Sequence, residues 1–379
     1  MRQNTILVLG GYGNAGTVIA RMLAGHTPYR IILAGRNGER ARQVAEQINL
    51  EFATDRVSGM AVDAASRASL LNAFQGVELV VVAASTIHCT GTVAEAALEA
   101  GIDYFDIQIA VKAKHAALES LRERIVESGR CFITDGGYRP GIPAAMVRYA
   151  ASRLPGLESA PVASTFQVNW KERQFAGSSA AEFADELESF SPLAFEDGQW
   201  QRASMREFKQ VDFGAPFGVK YCMPMFLEEF RPLPEMIPSL KETGFFSSGF
   251  GGIVDYVLMP VSFGLLRLFP HRSRNWIARL LEWGLKNTTR PPYGAVLRMA
   301  ARGQGQALVM TVSHDDPYVL TAAPAVACLL QVLDGTMRHP GLWRQATLVE
   351  PVRFFADLAS LGVTVNVTSP IDEARIDRG

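Results

Sequence analysis

The sequence predicts an α/β protein: an N-terminal doubly wound parallel sheet, an inserted α+β domain and a C-terminal return to the first domain. Three observations carry that prediction. Short apolar runs alternate with helical patterns from Thr5 onward, the alternation changes around Arg153-Leu154-Pro155-Gly156, and apolar helical sequence comes back at Tyr318. The expected domains are therefore 1–150, 151–316 and 317–379. At 379 residues the chain is long for one domain and suits this division.

Thr5 to Leu9 is an apolar run of the kind that fills a buried parallel strand, and a helix carrying Val18, Ile19, Met22 and Leu23 follows the glycines behind it. Arg30 to Ala34 is a second strand, and Gly38 to Ile48 is a helix with Ala41, Val44, Ala45 and Ile48 on one side. Gly59 to Asp63 reads as the third strand and Leu79 to Ala84 as the fourth. Between them lies a short helix, Ser66 to Phe74, opened by a hydroxyl cap. Thr92 to Ala100 is a helix stopped by Gly101, Tyr104 to Ile107 a fifth strand, Ala113 to Ser128 one long helix and Cys131 to Thr134 a sixth strand. Val162 to Trp170 alternates like a half-exposed strand, and Val296–Ala300 with Ala307–Val312 form a hairpin, so the middle is expected to hold a mostly antiparallel sheet. Tyr318 to Leu333 and Pro351 to Leu361 are helices, and Val363 to Val367 is a last strand expected to pack on the first domain.

The turn between the first strand and helix is Gly10-Gly11-Tyr12-Gly13-Asn14-Ala15-Gly16, in which Gly11, Gly13 and Gly16 satisfy G-x-G-x-x-G in a strand-turn-helix setting. Such a turn places a dinucleotide pyrophosphate on unpaired helix N–H groups, with Gly11 assigned the tight turn, Gly13 the close approach and Gly16 the helix packing. This is the Rossmann arrangement. The second strand ends in Gly35-Arg36-Asn37, with no Asp or Glu to take a ribose 2′-hydroxyl, whereas Arg36 suits a 2′-phosphate. The cofactor expected is NADP, bound by Gly11, Tyr12, Gly13, Asn14, Ala15, Gly16, Arg36 and Asn37, with Asp63 on the adenine side and Ala84 and Ser85 on the loop after the fourth strand.

A formal net charge of −1 gives no reason to expect a nucleic-acid partner. Cys89, Cys131, Cys222 and Cys328 lack metal or redox spacing and read as reduced thiols of a cytoplasmic protein, and the six histidines are too dispersed to suggest a metal. The chain starts straight into a core strand, which leaves no room for a signal peptide. The stretch 245–269 is the most apolar, but Asp255, Pro260 and Arg267 leave it short of the roughly 20 residues a spanning helix needs. It fits core or dimer contact, a greasy substrate wall built with Phe245, Phe246, Phe250 and Phe263, or a peripheral membrane contact.

Four segments resemble the saccharopine dehydrogenase-like oxidoreductases: Val8 to Gly16, Leu33 to Arg36, Val93 to Asp106 and Asp135 to Pro143. The resemblance covers residues 1 to about 150, with a weaker likeness around His339-Pro340-Gly341. It implies an NADP-binding Rossmann domain, an inserted domain over the substrate and a homodimer. It also implies hydride transfer at a C–N bond of a small metabolite, or enoyl reduction in another branch. Where the amino-acid branch carries Asp before Pro-Gly, this chain has Arg139, which is suited to a substrate carboxylate.

Hydride transfer needs one proton donor or acceptor beside the cofactor. Asp106 can act as general acid or base or simply cap a turn, and the resemblance gives the amino-acid branch a matching acid there. His88 can donate a proton or be an ordinary loop histidine. Tyr138 and Arg139 complete the catalytic candidates, Arg139 binding a substrate anion or forming an ion pair. Lys112 reads as the start of a solvated helix and Asp135 as a turn cap. An NADP-binding, membrane- or lipid-associated scaffold without turnover is the other functional class.

Overall fold

The computed structural model describes residues 4–169, 191–202, 208–248, 254–269 and 274–369. It divides into two compact units, one running to Ile142 and resuming over Tyr318–Gly362, the other formed by Pro143–Pro317 and the chain from Val363.

In the first unit the strands are β1 (Thr5–Leu9), β2 (Arg30–Gly35), β3 (Val57–Ala61), β4 (Leu79–Val82), β5 (Asp103–Asp106) and β6 (Cys131–Thr134). The helices between them are α1 (Asn14–His26), α2 (Gly38–Glu51), α3 (Arg67–Ala73), α4 (Thr90–Ala100), α5 (Lys112–Glu119) and α6 (Arg122–Glu127). The second unit contributes α7 (Pro143–Arg153), β7 (Leu157–Gln167), β8 (Leu193–Glu196), β9 (Gln199–Arg202), β10 (Lys209–Asp212) and β11 (Val219–Pro224). It continues with α8 (Leu233–Met236), β12 (Glu242–Ser248), α9 (Met259–Leu268), α10 (Arg274–Thr288), β13 (Gly294–Gly303) and β14 (Gln306–His314). Last come α11 (Pro317–Leu333), β15 (Gly341–Arg344), α12 (Gln345–Leu348), α13 (Pro351–Ser360) and β16 (Thr364–Thr368).

The first sheet has the order β15-β6-β5-β4-β1-β2-β3, and every pairing in it is parallel. The strand order reverses beside β1, so the carboxyl ends of β1 and β4 flank the crevice where such sheets bind ligands. Ile6, Leu7, Val8, Val80, Val81, Phe105, Phe132 and Ile133 have no exposed surface, as strands covered on both faces require. Helix boundaries follow local chemistry: the Asn37 side chain caps α2 by accepting from the Arg40 N–H at 3.0 Å, and α4 ends where Gly101 turns left-handed at φ +64°.

The structure departs from the sequence reading at several elements. The third strand starts at Val57, two residues before Gly59. The helix expected over Ala113–Ser128 is two, α5 and α6, parted where the Ser120 hydroxyl donates back to the Ala117 carbonyl at 2.8 Å. The turn at His339-Pro340-Gly341 leads into β15, a seventh strand paired with β6. The final strand, β16, pairs antiparallel with β14 of the second sheet instead of returning to the first unit.

Among the described residues the second unit holds a nine-stranded sheet whose main path is β10-β11-β12-β7-β13-β14-β16. It is mixed where an antiparallel sheet was expected in the main, because β12 and β7 run parallel. Phe245 and Phe246 are buried on β12, which makes them core and not a substrate wall. Phe250 lies outside the described residues.

Candidate active site

The glycine turn is built by backbone contacts. Gly10 takes the left-handed conformation at φ +85°, and a Cβ there would come within 2.7 Å of the Ala84 nitrogen. The tight turn thus falls to Gly10, one residue before the Gly11 the motif assigns. A Cβ on Gly16 would sit 2.2 Å from the Gly10 carbonyl oxygen, so α1 packs on the turn only with glycine. On Gly13 the same atom meets only that oxygen, at 3.1 Å, which leaves its other side open. Helix α1 starts beyond Gly13 with no side-chain cap and no acid in its first turn, so the N–H groups around Asn14, Ala15 and Gly16 present a positive end. The Asn14 amide donates to the Tyr318 hydroxyl at 3.0 Å.

Tyr12 closes the gap between this turn and β2. Its ring lies against Gly35, its hydroxyl accepts from the Asn37 N–H at 3.0 Å, and the Arg40 guanidinium stands 5.5 Å from the ring centroid. Arg36 is exposed at the end of β2. The Asn37 side chain is already used as the α2 cap. Asp63 is exposed and accepts from the Ala65 N–H at 3.0 Å, closing its own turn. Along the loop after β4, the Ala84 carbonyl accepts from the Gln108 amide at 2.9 Å, Ser85 is exposed, and His88 stands exposed on the short turn Ile87–Cys89.

Beyond β5 the interior is charged. Lys114 is fully buried and donates to Asp106 Oδ1 at 3.0 Å, the Gln108 carbonyl at 3.0 Å and Asp135 Oδ1 at 2.8 Å. His115 Nε2 lies 2.9 Å from each Asp135 oxygen, and Arg344 Nε donates to Asp135 Oδ2 at 3.2 Å. Burial by itself would lower the Lys114 pKa, but Asp106 and Asp135 more than reverse it, and its pKa is raised. Burial would likewise raise that of Asp135, but Lys114 and His115 hold its carboxyl well below the usual range. Asp106 is fully buried, and its Oδ2 and the Tyr104 hydroxyl are both without a hydrogen-bond partner. Burial, then the Asp106 charge, pushes the Tyr104 phenol well above its ordinary value. Of the groups in this cluster, the His115 side chain keeps 19% of its surface exposed while that of Asp106 keeps none.

The loop after β6 is held tightly. Asp135 has φ +57° and Gly137 φ +106°, the Gly136 N–H donates to the Asp106 carbonyl at 2.9 Å, and a Cβ on Gly136 would strike the Phe105 ring at 2.4 Å. Buried Gln345 accepts from the Gly137 N–H at 3.1 Å. This places Tyr138, buried, and Arg139, half-buried, one short turn from Asp135.

Sequence reasoning passed over Lys114, His115, Gln108, Arg344 and Gln345. One signal was present: Lys114 falls in register with Leu118, Leu121 and Ile125, all buried, so a lysine occupies an apolar stripe and requires buried partners.

Residues 6–133 match the family model of the saccharopine dehydrogenase NADP-binding domain. No curated protein matches the chain. Among solved structures, saccharopine dehydrogenase (L-Glu forming) from Saccharomyces cerevisiae matches with a TM-score of 0.68 at 15% identity, over 97% of this chain and 99% of that one, a likeness of fold. A myo-inositol dehydrogenase from Corynebacterium glutamicum has a TM-score of 0.46 at 14% identity, over 97% of this chain and 98% of that one, too low to bear on the fold. The span matched by the family model contains the glycine turn, Arg36, the loop after β4, Asp106, Lys114 and His115. Residues 6–133 therefore form an NADP-binding domain of the saccharopine dehydrogenase type, in a chain whose fold as a whole is like that of saccharopine dehydrogenase.

Proposed function

We propose that the chain transfers a hydride between NADP and the carbon–nitrogen bond of a small metabolite, an imine in one direction and a secondary amine in the other. The observation that carries this reading is the His115–Asp135 pair between the carboxyl ends of β5 and β6. An imine accepts hydride well only once its nitrogen is protonated, and an imidazole held in place by a carboxylate can carry that proton.

In this reading the turn from Gly10 to Gly16 and the uncapped start of α1 hold the pyrophosphate. The space left open at Gly13, which a larger residue would fill, supports that fit. Arg36, with Arg40 nearby on α2, takes the 2′-phosphate, and Ala84 and Ser85 border the nicotinamide side. When bound, the nicotinamide ring supplies or takes the hydride. His115 gives the substrate nitrogen its proton or removes it. Asp135 fixes the imidazole's orientation, and Lys114 keeps Asp135 ionised while Asp106 anchors Lys114. Arg139 receives a substrate carboxylate, with Tyr138 beside it in the same turn; His88 is a second proton group on the loop after β4.

The test is NADPH oxidation followed against two substrate classes: amino acids mixed with aldehydes, which condense to imines, and enoyl thioesters. Turnover on the first class supports the proposal. Turnover on enoyl thioesters alone would transfer the chain to enoyl reduction, and NADPH binding with no turnover on either would favour a cofactor-binding scaffold. His115→Asn is expected to lower kcat about a hundredfold while leaving NADPH affinity near its original value.

A further inference from the structure

The helical hairpin of the second unit has apolar surface on two sides. From Tyr256 to Leu266 the sequence carries no charged residue. One side is accounted for: Val254, Leu258, Ile277, Leu281 and Leu285 form a core of their own between the π-helical turn Val254–Leu258, α9 and α10. The other side is open. Val257, Val261 and Leu268 follow one another at helical spacing and are 53%, 44% and 71% exposed, with Phe269 exposed at the end of α9. Gly264 falls on the same stripe and is exposed. Among the described residues the hairpin's principal packing is on itself. An apolar helix face belongs in a core or against lipid, and among the described residues this stripe meets no core.

Helix α10 has a different outer face, and its chemistry says what covers the hairpin. Trp276, Arg279 and Trp283 recur at spacings of three and four and are all exposed, the two indoles by 53% and 56%. Indole rings alternating with guanidinium groups suit the headgroup layer of a bilayer, where the ring straddles the polar boundary and the cation reaches phosphate. From Val254 to Arg290 the sequence carries six Arg or Lys against two Asp or Glu, in a chain whose formal net charge is −1. Lys286 is paired with Glu282, whereas Arg279 and Arg290 are exposed. That surplus repels a second copy of the same surface and attracts an anionic one. No helix among the described residues is long and apolar enough to cross a membrane, so the contact is with a surface.

We infer that the α9–α10 hairpin docks the protein on an anionic membrane surface, its apolar stripe entering the acyl boundary and its cations meeting lipid phosphates. The contact does not depend on which bond the enzyme reduces.

The experiment is co-sedimentation of the full chain with vesicles of phosphatidylcholine containing phosphatidylglycerol, and with vesicles of phosphatidylcholine alone. Binding to the anionic vesicles, weakened by salt and accompanied by a blue shift of tryptophan emission, is expected. Arg279→Gln and Arg290→Gln should each lower affinity about fivefold, and Leu268→Glu should abolish sedimentation. Each variant should retain NADPH affinity, which shows that it folds. Failure to sediment with anionic vesicles would overturn the inference, as would equal binding to both compositions. A dimer in sedimentation velocity that Leu268→Glu dissociates, without vesicle binding, would assign the stripe to a second copy instead.

Discussion

Replacing Lys114 by Met is the sharpest test of the buried charge cluster. The side chain is fully buried and its ammonium serves three oxygens, on Asp106, Asp135 and Gln108. Met fills similar volume, so packing changes little and the loss is electrostatic. Asp135 keeps His115 and Arg344, whereas among the described residues Asp106 keeps only the Gln108 N–H at 3.2 Å. The cost is therefore that of one buried charge stripped of its counter-ion, about 3–5 kcal/mol. Hydrogen exchange reads it locally: amide protection in β5 and β6 should fall about a thousandfold at pH 7, from about 4 kcal/mol at 1.36 kcal/mol per decade. Adding Asp106→Asn should restore much of the protection, since it removes the stranded charge. A Lys114→Met protein protected to within threefold of the parent, or one that Asp106→Asn failed to rescue, would refute the electrostatic account.

Three further outcomes are expected. Arg36→Ala should weaken NADPH binding by about tenfold to a hundredfold and NADH binding far less, and equal loss for both in fluorescence titration would remove Arg36 from the 2′-phosphate. Gly16→Ala should cost both stability and cofactor binding, because its Cβ would meet the Gly10 carbonyl at 2.2 Å, whereas Gly13→Ala, at 3.1 Å, should fold and lose mainly affinity. Parallel thermal unfolding and NADPH titration separate the two. In the parent protein, Asp135 has a lowered pKa and Lys114 a raised one. The stabilisation from Asp135 should thus be complete above about pH 4 and fade below it, and that from Lys114 should be complete below about pH 10.4 and fade above it. Protection of β6 should accordingly be level between those limits.

The first half of the fold was legible because its signals are local. An apolar run, a glycine turn, an amphipathic helix and a strand ending in Arg36 declare themselves within about thirty residues, and each lies where its pattern puts it. The charge cluster was not, because Asp135 meets Arg344 across more than two hundred positions and no period links them. Asp135 looked like a turn cap and Lys112 like a solvated helix start; the informative residue was Lys114, two places on, whose register with Leu118 makes it interior. Strand β15 escaped because Gly341-Leu342-Trp343-Arg344 is too short to show alternation, and β16 was found but given the wrong neighbour, since an exposed strand does not encode which edge it joins.

The seventh strand of the first sheet also sets an order of events during synthesis. Its residues leave the ribosome only after residues 143–317 of the second unit have been made, and Gln345 and Arg344, which hold the loop after β6, arrive with them. Until then β6 is a bare sheet edge and Asp135 lacks one of its cations. Until residues 318–362 arrive, the nascent first unit therefore has an open sheet edge and lacks the buried faces of α11 and α13, a state exposed to mispairing.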